Sequence, residues 1–396
     1  MRKKIAPVVF AISLLGGAMQ TYAQVDLINK VKDNASENTV GFKWETVVDL
    51  NKTPIKSQGN SGTCWSYCSN SFVESEMLRL GKDPVDLAEM YTVRNTYLEK
   101  ADRYVRLHGN FNFGQGGALH DVLDMIKKYG AIPQEAYQGL NYGSTTNKHD
   151  EMESMLKSIL DVVAKKENGE ISPVWKVAYT KVLETYLGEA PKEFDYKGKK
   201  YTPQAFAKDY MGINPDDYIE FTSQLGDPFY SKTIVLVPDN WTFAASYNLP
   251  INEMTDVIDY ALKKGYSVSW ASDVSEKYFS WKNGVAYVPA KPYAEMSDDE
   301  RKAMFAEPKE EMKVTQEMRQ NAYDNFATTD DHGMHIVGIV KDQNGKEYYK
   351  VKNSWGEAND QKGFINVSKE FLKFKTTSFL LHKDGVPPML RKKIGV

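Results

Sequence analysis

Residues 58–67 read Gln-Gly-Asn-Ser-Gly-Thr-Cys-Trp-Ser-Tyr, a glycine-containing turn that runs directly into a predicted helix. The N-terminus of a helix carries a partial positive charge and free amide donors, so it stabilises an anion placed there. A lone cysteine is more often a small buried residue, but Cys64 stands at this helix start and is well placed to act as a nucleophile. Gln58 offers a side-chain amide that can donate to an oxyanion. The segment therefore constrains the fold to a helix that starts at Cys64 and carries a catalytic thiol.

Two motifs far along the chain supply the other groups that a thiol hydrolase needs. They are Asp-His-Gly at 331–333 and Asn-Ser-Trp-Gly at 353–356. His332 precedes a predicted strand, where it can take the proton of Cys64 and later give it to a leaving amine. Asn353 can accept a hydrogen bond from one ring nitrogen of His332, which leaves the other nitrogen facing the sulfur. Alone, the second motif is typical of a surface turn, but the combination predicts a catalytic set.

His335 is a rival for the role of base. Residues three apart on an extended chain point to opposite faces, so His332 and His335 cannot chelate a metal together and only one of them faces a cleft. We expect His335 to be a core or edge histidine. The histidine and glutamate spacing of a zinc peptidase helix is absent from the sequence, and we expect no metal and no cofactor.

Two glycines and a tryptophan are the candidate substrate-binding residues. Gly116 and Gly117 lie in a Gly-Gln-Gly-Gly run before another predicted helix, and without side chains they let an extended peptide pair with the backbone. The alternative is a plain loop that precedes a helix. Trp355 completes the substrate-binding set and is also expected to shield the hydrogen bond between His332 and Asn353 from water.

Charge and cysteine content exclude several classes of protein. The 396 residues include 50 Lys and Arg against 53 Asp and Glu, a formal net charge of −3, which argues against nucleic acid as a partner. No tract is basic enough to indicate a membrane surface. Only two cysteines are present, and a bridge between Cys64 and Cys68 would disturb their shared helix. We expect both thiols to be unbridged, with Cys68 a small core residue.

The first residues indicate export. Residues 1–4 are basic, residues 5–19 form a mostly apolar run too short for a comfortable membrane span, and 21–23 supply small residues for a signal peptidase. We expect residues 1–23 to be a cleaved secretory signal peptide, so that the mature protein is periplasmic or secreted and not inserted in a membrane. The alternative is a buried N-terminal helix.

Helices are predicted early in the chain and strands late. The hydrophobic pattern predicts helices at 64–80, 87–107, 120–128, 251–264 and 315–326, and strands at 234–237, 267–271, 335–341, 347–352, 364–367 and 378–382. Residues 145–230 are predicted to be an inserted helical region, because the chemistry is divided on either side of it. We therefore predict one α+β domain over residues 24–396, with a cleft between a helical half and a sheet half.

At these positions the chain resembles the papain-like cysteine peptidases. Their pattern is Gln, then Gly-Ser/Ala-Cys-Trp, a remote His followed six residues on by Gly, and Asn-Ser-Trp-Gly. It falls here on Gln58, Cys64 with Trp65, His332 with Gly338, and 353–356. The position of Gly338 favours His332 over His335. A serine, Ser61, where many secreted members have a disulfide cysteine, and the long interval from Cys64 to His332 are similar to the bleomycin hydrolase and aminopeptidase C branch.

The resemblance implies a papain-like fold with a helical left half and a β-rich right half. It implies a cysteine peptidase of aminopeptidase type, with a Cys64 thiolate paired to a His332 imidazolium. It also implies an assembly that is often hexameric, with a C-terminal arm that lies in the cleft and measures off the N-terminus of the substrate. Only residues 389–396 follow the Val-Pro-Pro at 386–388, which is shorter than that arm. A papain-like endopeptidase, a dipeptide-releasing peptidase and an inactive papain-fold binding protein are the alternatives.

Overall fold

The computed structural model of the protein describes residues 26–27, 29–31, 41–166 and 170–396. The signal peptide predicted at residues 1–23 lies outside the described residues and stays a prediction. Among the residues that are described, no helix is both long enough and apolar enough to cross a bilayer.

The first half of the chain is mainly helical. Its helices are α1 (Cys64–Arg79), α2 (Glu89–Arg106), α3 (His120–Tyr129), α4 (Asp150–Ala164) and α5 (Trp175–Leu187). Their apolar faces share one core, and α1 is buried along almost its whole length. Burial on all sides follows from its position, because α1 packs against α2 and α3 on one side and against the large sheet on the other.

The second half is built on a mixed sheet of eleven strands. The strands of the protein are β1 (Glu45–Asp49), β2 (Phe194–Tyr196), β3 (Lys199–Tyr201), β4 (Tyr218–Thr222), β5 (Lys232–Ile234), β6 (Ala245–Asn248), β7 (Val268–Ser272), β8 (Phe279–Ser280), β9 (Val285–Ala286), β10 (His332–Lys341), β11 (Glu347–Lys352), β12 (Phe364–Ser368) and β13 (Thr376–His382). The order in the sheet is β5-β6-β4-β13-β7-β10-β11-β12-β9-β8, with β1 paired to β10.

The remaining helices lie in the half of the molecule that contains the sheet. They are α6 (Ile251–Lys263), α7 (Asp298–Lys302), α8 (Gln316–Asp324), α9 (Lys369–Lys375) and α10 (Pro388–Ile394). The apolar side of α6 joins a second core with the central strands, separate from the core of the helices. Two cores with α1 between them give the α+β architecture that the sequence predicts, with a helical half and a sheet half.

The start of β10 lies on the start of α1. His332 pairs with Ser272 of β7, and the next residue, Gly333, comes so close to α1 that a Cβ atom there would lie 3.2 Å from the Cα of Trp65. Glycine at this position therefore allows the sheet and the helix to approach at the point where the two predicted catalytic residues begin their elements.

The region at 145–230 is only partly helical, so the prediction of a helical insertion is wrong in its second half. After α5 the chain forms the hairpin of β2 and β3 and then a π-helix, Phe206–Met211. The aromatic rings of the hairpin pack around Phe206, which favours strands over another amphipathic helix. The region also ends in β4, which pairs with β13 in the main sheet.

The strand predicted at 234–237 is wrong for residues 235–237, because β5 covers Lys232–Ile234 and the chain leaves the sheet after Ile234. Residues 235–244, which we call the cleft loop, are closed by the side chain of Asn240. Its amide nitrogen donates to the carbonyls of Val235 and Ala244, and its amide oxygen accepts from the backbone N–H of Ala244. Side-chain hydrogen bonds of this kind replace the strand ladder locally.

Replacing Gly338 by alanine should destabilise the fold. A Cβ atom at this position of β10 would overlap the backbone carbonyl oxygen of Val48 in β1, and backbone atoms cannot move aside cheaply. We expect Gly338→Ala to lower the free energy of unfolding by about 1–3 kcal/mol in urea titrations. Gly114→Ala is the matched control, since its nearest heavy atom would be 3.9 Å away. Equal stability of the two variants would contradict the packing described here.

Candidate active site

Cys64 is the first residue of α1, as predicted, and only 6% of its surface is exposed. The turn before it is held by Gln115, whose side-chain oxygen accepts from the N–H of Gly62 at 2.6 Å. The carbonyl of Gln115 also accepts from the indole nitrogen of Trp65 at 2.9 Å. Neither cysteine is in a disulfide. The two hydrogen bonds to one residue therefore fix the chain on both sides of the sulfur.

His332 and Asn353 are hydrogen-bonded to one another. Nε2 of His332 lies 2.7 Å from Oδ1 of Asn353, and that oxygen also accepts from the backbone N–H of Ser354. An accepting oxygen at Nε2 places the ring proton there and leaves the lone pair on Nδ1. Among the described residues Nδ1 has no hydrogen-bond partner. His332 and Cys64 line the same small cavity, of about 40 Å³.

Gln58 is fully buried and links the two halves of the site. Its side-chain nitrogen donates to the carbonyl of Ser61 at 2.7 Å, and its oxygen accepts from Oγ of Ser354 at 2.6 Å. A primary amide has two N–H groups, so one donor is left after the bond to Ser61. Gln58 does not itself line the cavity beside Cys64, and its role as an oxyanion donor stays a prediction.

The two predicted substrate glycines are covered by side chains. A Cβ atom on Gly116 would overlap the carboxylate of Asp239, and one on Gly117 would lie 2.8 Å from the ring of Trp65. The close packing of these side chains therefore explains why glycine is present at both positions, while the pairing of the glycines with a peptide backbone stays a prediction.

Trp355 lies behind the histidine instead of in the cavity. Its ring centroid is 4.5 Å from that of His332 and 5.4 Å from that of Trp281, so the indole is packed between the two. The expected shielding of the histidine is consistent with this position. Trp355 does not line the cavity of Cys64, and its contact with substrate stays a prediction.

His335 and Cys68 are structural, as predicted. His335 is fully buried, and its Nδ1 lies 3.0 Å from Oγ of Ser71 in α1. The sulfur of Cys68 lies 3.1 Å from Oγ of Ser269 in β7. Both residues face the contact between α1 and the sheet, one turn of helix away from the catalytic cavity.

Burial opposes charge on each of the two predicted catalytic groups, whereas the resemblance implies a resting thiolate and imidazolium. Burial raises the pKa of the Cys64 thiol, against hydrogen bonds from the backbone of Gly333 and Trp65, and the nearby Asp239 carboxylate raises it further. Burial lowers the pKa of His332 to about 4, against the hydrogen bond to Asn353. The charge of a helix N-terminus is worth about 2 kcal/mol at most, less than the loss of hydration by a buried ion. Taken one at a time, the thiol and the imidazole are therefore both held toward their neutral forms.

Several charged residues of the cavity were not predicted from the sequence. Asp239 of the cleft loop, Asp330, and His120 with Glu220 all line it. Nδ1 of His120 lies 2.7 Å from a Glu220 oxygen and Nε2 lies 2.9 Å from Oγ1 of Thr242. Burial acts to lower the pKa of His120, but the charge of Glu220 prevails and raises it to about 9. No local motif marks these residues, because they meet only through the tertiary fold.

Two groups of side chains in the described part of the chain have the composition of a metal site. The first is His120, Asp121 and Asp124, and the second is Glu74, Asp86 and Glu89. Both ring nitrogens of His120 are already hydrogen-bonded, and the second group surrounds the ammonium of Lys56. Each group is thus explained by contacts within the protein.

The chain is similar to known proteins in both sequence and fold. The Peptidase C1-like family matches residues 14–394. Aminopeptidase C of Streptococcus thermophilus is 22% identical over 400 residues, which cover 90% of this chain and 86% of the relative. Aminopeptidase E of Lactobacillus helveticus is 25% identical over 380 residues, covering 85% and 82%. The crystal structure of pepw from Lactobacillus rhamnosis HN001 (DR20) superposes with a TM-score of 0.67 at 19% identity, covering 94% of this chain and 86% of that chain, which shows a shared fold.

The His332 ring should titrate far below an ordinary histidine. We expect its pKa near 4, so that the ring is a neutral proton acceptor above that pH and loses this capacity as the pH falls through it. The measurement is an NMR titration of ¹³C-histidine protein in a Cys64→Ala background, with His332→Gln to assign the signal. Adding Asn353→Ala should lower the value further, since the hydrogen bond to Asn353 acts to raise it. A midpoint near 6.5 would show that the ring is not desolvated.

Proposed function

Because the chain belongs to the Peptidase C1-like family, we propose that it is a cysteine-type aminopeptidase that releases N-terminal residues from peptides through an acyl-enzyme. The observation that carries this proposal is the shared cavity of Cys64 and His332, with Asn353 holding Nε2 of the ring. The relatives reported above are named as aminopeptidases, which supports the exopeptidase form.

The reaction starts from the neutral pair. Sγ of Cys64 attacks the scissile carbonyl carbon while its proton passes to Nδ1 of His332. The transfer creates an anion and a cation side by side, so each offsets part of the other's desolvation. The oxygen of Asn353 accepts from Nε2–H throughout and stabilises the imidazolium as it forms.

The tetrahedral oxyanion needs donors that are in place beforehand. The backbone N–H of Cys64 at the start of α1 and the second N–H of the Gln58 side chain are the groups assigned to it. His332 then protonates the leaving amine as the C–N bond breaks and a thioester remains on Cys64. A water molecule, deprotonated by His332, hydrolyses the thioester and restores the thiol.

One observation favours a second candidate, an endopeptidase. The C-terminal helix α10 buries Leu390 and Ile394 in the core of the sheet half. No described residue from 388 to 396 lines the cavity at Cys64 or the groove that leads to it. The arm that the resemblance implied in the cleft is therefore not found there, and an aminopeptidase would need another group to recognise the substrate amine.

Removal of the thiol should abolish hydrolysis. We expect Cys64→Ala to show no turnover of amino-acid anilides above background, because Cys64 is the only thiol among the described residues that line the cavity of His332. Cys68→Ala, which changes a buried thiol on the next turn of α1, is the matched control and should retain kcat within a few-fold. Gln58→Ala should fall between them, with a loss on the order of 10²–10³ in kcat. Persisting turnover in Cys64→Ala would falsify the assignment of the nucleophile.

Substrates with and without a free amine decide between the two candidate peptidases. We expect the unmodified protein to cleave a leucyl anilide at least about 100-fold more efficiently, in kcat/KM, than its N-acetylated form, because a site that binds a charged group strongly disfavours its neutral analogue. Efficient cleavage of the N-acetylated form or of internal peptide bonds would establish the endopeptidase instead.

A further inference from the structure

The small catalytic cavity opens into a larger groove of about 760 Å³. Val237, Asp239 and Asp330 line both spaces, so they mark the junction between them. A peptide that enters along the groove reaches these three residues immediately before it reaches Cys64. Two of the three are acids.

The carboxylate of Asp239 projects into this junction without a donor. It packs over Gly116, and no hydrogen bond from a described residue reaches either of its oxygens. The nearest cation, the buried ammonium of Lys100, donates instead to the carbonyls of Gly114 and Gly116. A partly buried carboxylate with no donor is unusual, because such groups lose hydration that nothing in the protein replaces.

Negative charge around the junction exceeds positive charge. Asp330, Asp121 and Glu153 act on Asp239 as like charges, and Lys100 is the cation that acts on it. Glu153 is 96% buried and lines the groove, and its Oε2 has no hydrogen-bond partner in the described part of the chain. Burial and these like charges raise the pKa of Asp239 well above its usual range. The junction is therefore a site that a bound cation would stabilise.

The cleft loop holds Asp239 in place from both halves of the molecule. The indole of Trp241 donates to Asp121 of α3 at 2.6 Å. On the other side, the hydroxyl of Tyr323 donates to the carbonyl of Leu236 at 2.9 Å, and the N–H of Asp239 donates to Asp330 at 2.8 Å. These anchors fix the position of the carboxylate before any ligand arrives.

We propose that Asp239, supported by Asp330, binds the protonated α-amine of the substrate and so sets the exopeptidase register of the site. This inference rests on the proposed aminopeptidase function. In an aminopeptidase the amine is two bonds from the carbonyl that Cys64 attacks, so its counter-ion must line the cavity of the thiol, as Asp239 does. The same carboxylate fills the space over Gly116, where residues preceding the cleaved one would otherwise lie.

If Asp239 binds the amine, that binding also changes the reactivity of the Cys64 thiol. Asp239 raises the pKa of the Cys64 thiol, which opposes loss of the thiol proton. An ammonium bound to Asp239 compensates this negative charge and makes proton transfer to His332 easier. A substrate without the amine would leave the carboxylate uncompensated and would meet a less reactive sulfur.

The test is Asp239→Asn, an isosteric change that removes the charge. For a leucyl anilide we expect kcat/KM to fall roughly 10- to 100-fold, the range for loss of a charge-assisted hydrogen bond. For the N-acetylated and des-amino analogues we expect no fall, so the selectivity for a free amine collapses. Asp299→Asn, which neutralises an exposed acid of α7 that lines neither the cavity nor the groove, controls for long-range charge and should leave all three rates unchanged.

Thiol reactivity separates a positioning effect from damage to the fold. In Asp239→Asn, iodoacetamide should modify Cys64 faster than in the unmodified protein once the pH is high enough to ionise the Asp239 carboxyl, because a charge that raises the thiol pKa is gone, while buried Cys68 stays protected in peptide mass spectra. Modification of both cysteines would indicate that Asp239→Asn unfolds the protein. In that case the role of Asp239 is tested by comparing kcat/KM of the unmodified protein for the leucyl and the des-amino anilides. Equal kcat/KM for the leucyl and des-amino anilides, or an equal loss on all substrates in Asp239→Asn, would overturn the role of Asp239. Turnover that survives Cys64→Ala would instead overturn the proposed function itself.

Discussion

The structure depends on the contact between the start of β10 and the start of α1. Cys64 begins one element and His332 begins the other, and the glycine after the histidine lets the backbone of β10 approach that of α1 closely. A side chain at Gly333 would separate the sheet from the helix, and with them the base from the thiol. The two cores on either side serve to hold this contact, since α1 is shared between them. Asn353 directly follows β11, which is the neighbour of β10 in the sheet, and it therefore lies beside the ring of His332.

Close packing at this contact has an electrostatic consequence. The same burial that fixes the geometry removes water from both catalytic groups and favours their neutral forms. A thiolate and an imidazolium buried here stabilise one another only when both charges are present. The proton transfer from Cys64 to His332 is therefore expected to accompany the attack of the sulfur on the carbonyl. Hydrogen bonds to Asn353, and from the amides at the start of α1, are the permanent dipoles that favour that event.

The sequence was sufficient to predict which residues meet at the candidate site but not their surroundings. Cys64, His332 and Asn353 lie in short motifs with fixed offsets, and the helix and strand that begin at the first two follow from hydrophobic periodicity. Asp239 lies in no motif. It follows a continuous apolar run at 234–237 that predicts a strand, and the structure departs from that prediction because Asn240 closes a loop through three hydrogen bonds. Trp355 lies beside His332 as the motif predicts but outside the cavity, since a motif fixes position along the chain and not which face meets solvent.

Restriction to exopeptidase activity depends on a carboxylate that binds the substrate amine, and therefore on where the fold can hold such a group rigidly. A carboxylate at the end of a chain must be carried into the cleft by a segment that loses conformational entropy when it is ordered there. A carboxylate on the cleft loop is already fixed by anchors from α3, from Asp330 and from Tyr323, so that entropy is lost during folding and not during binding. The arrangement has a drawback, because a negative charge beside the thiol opposes its ionisation. That drawback is removed only by a ligand that brings a positive charge to the same point, and the site thereby links recognition of an amine to the reactivity of its own nucleophile.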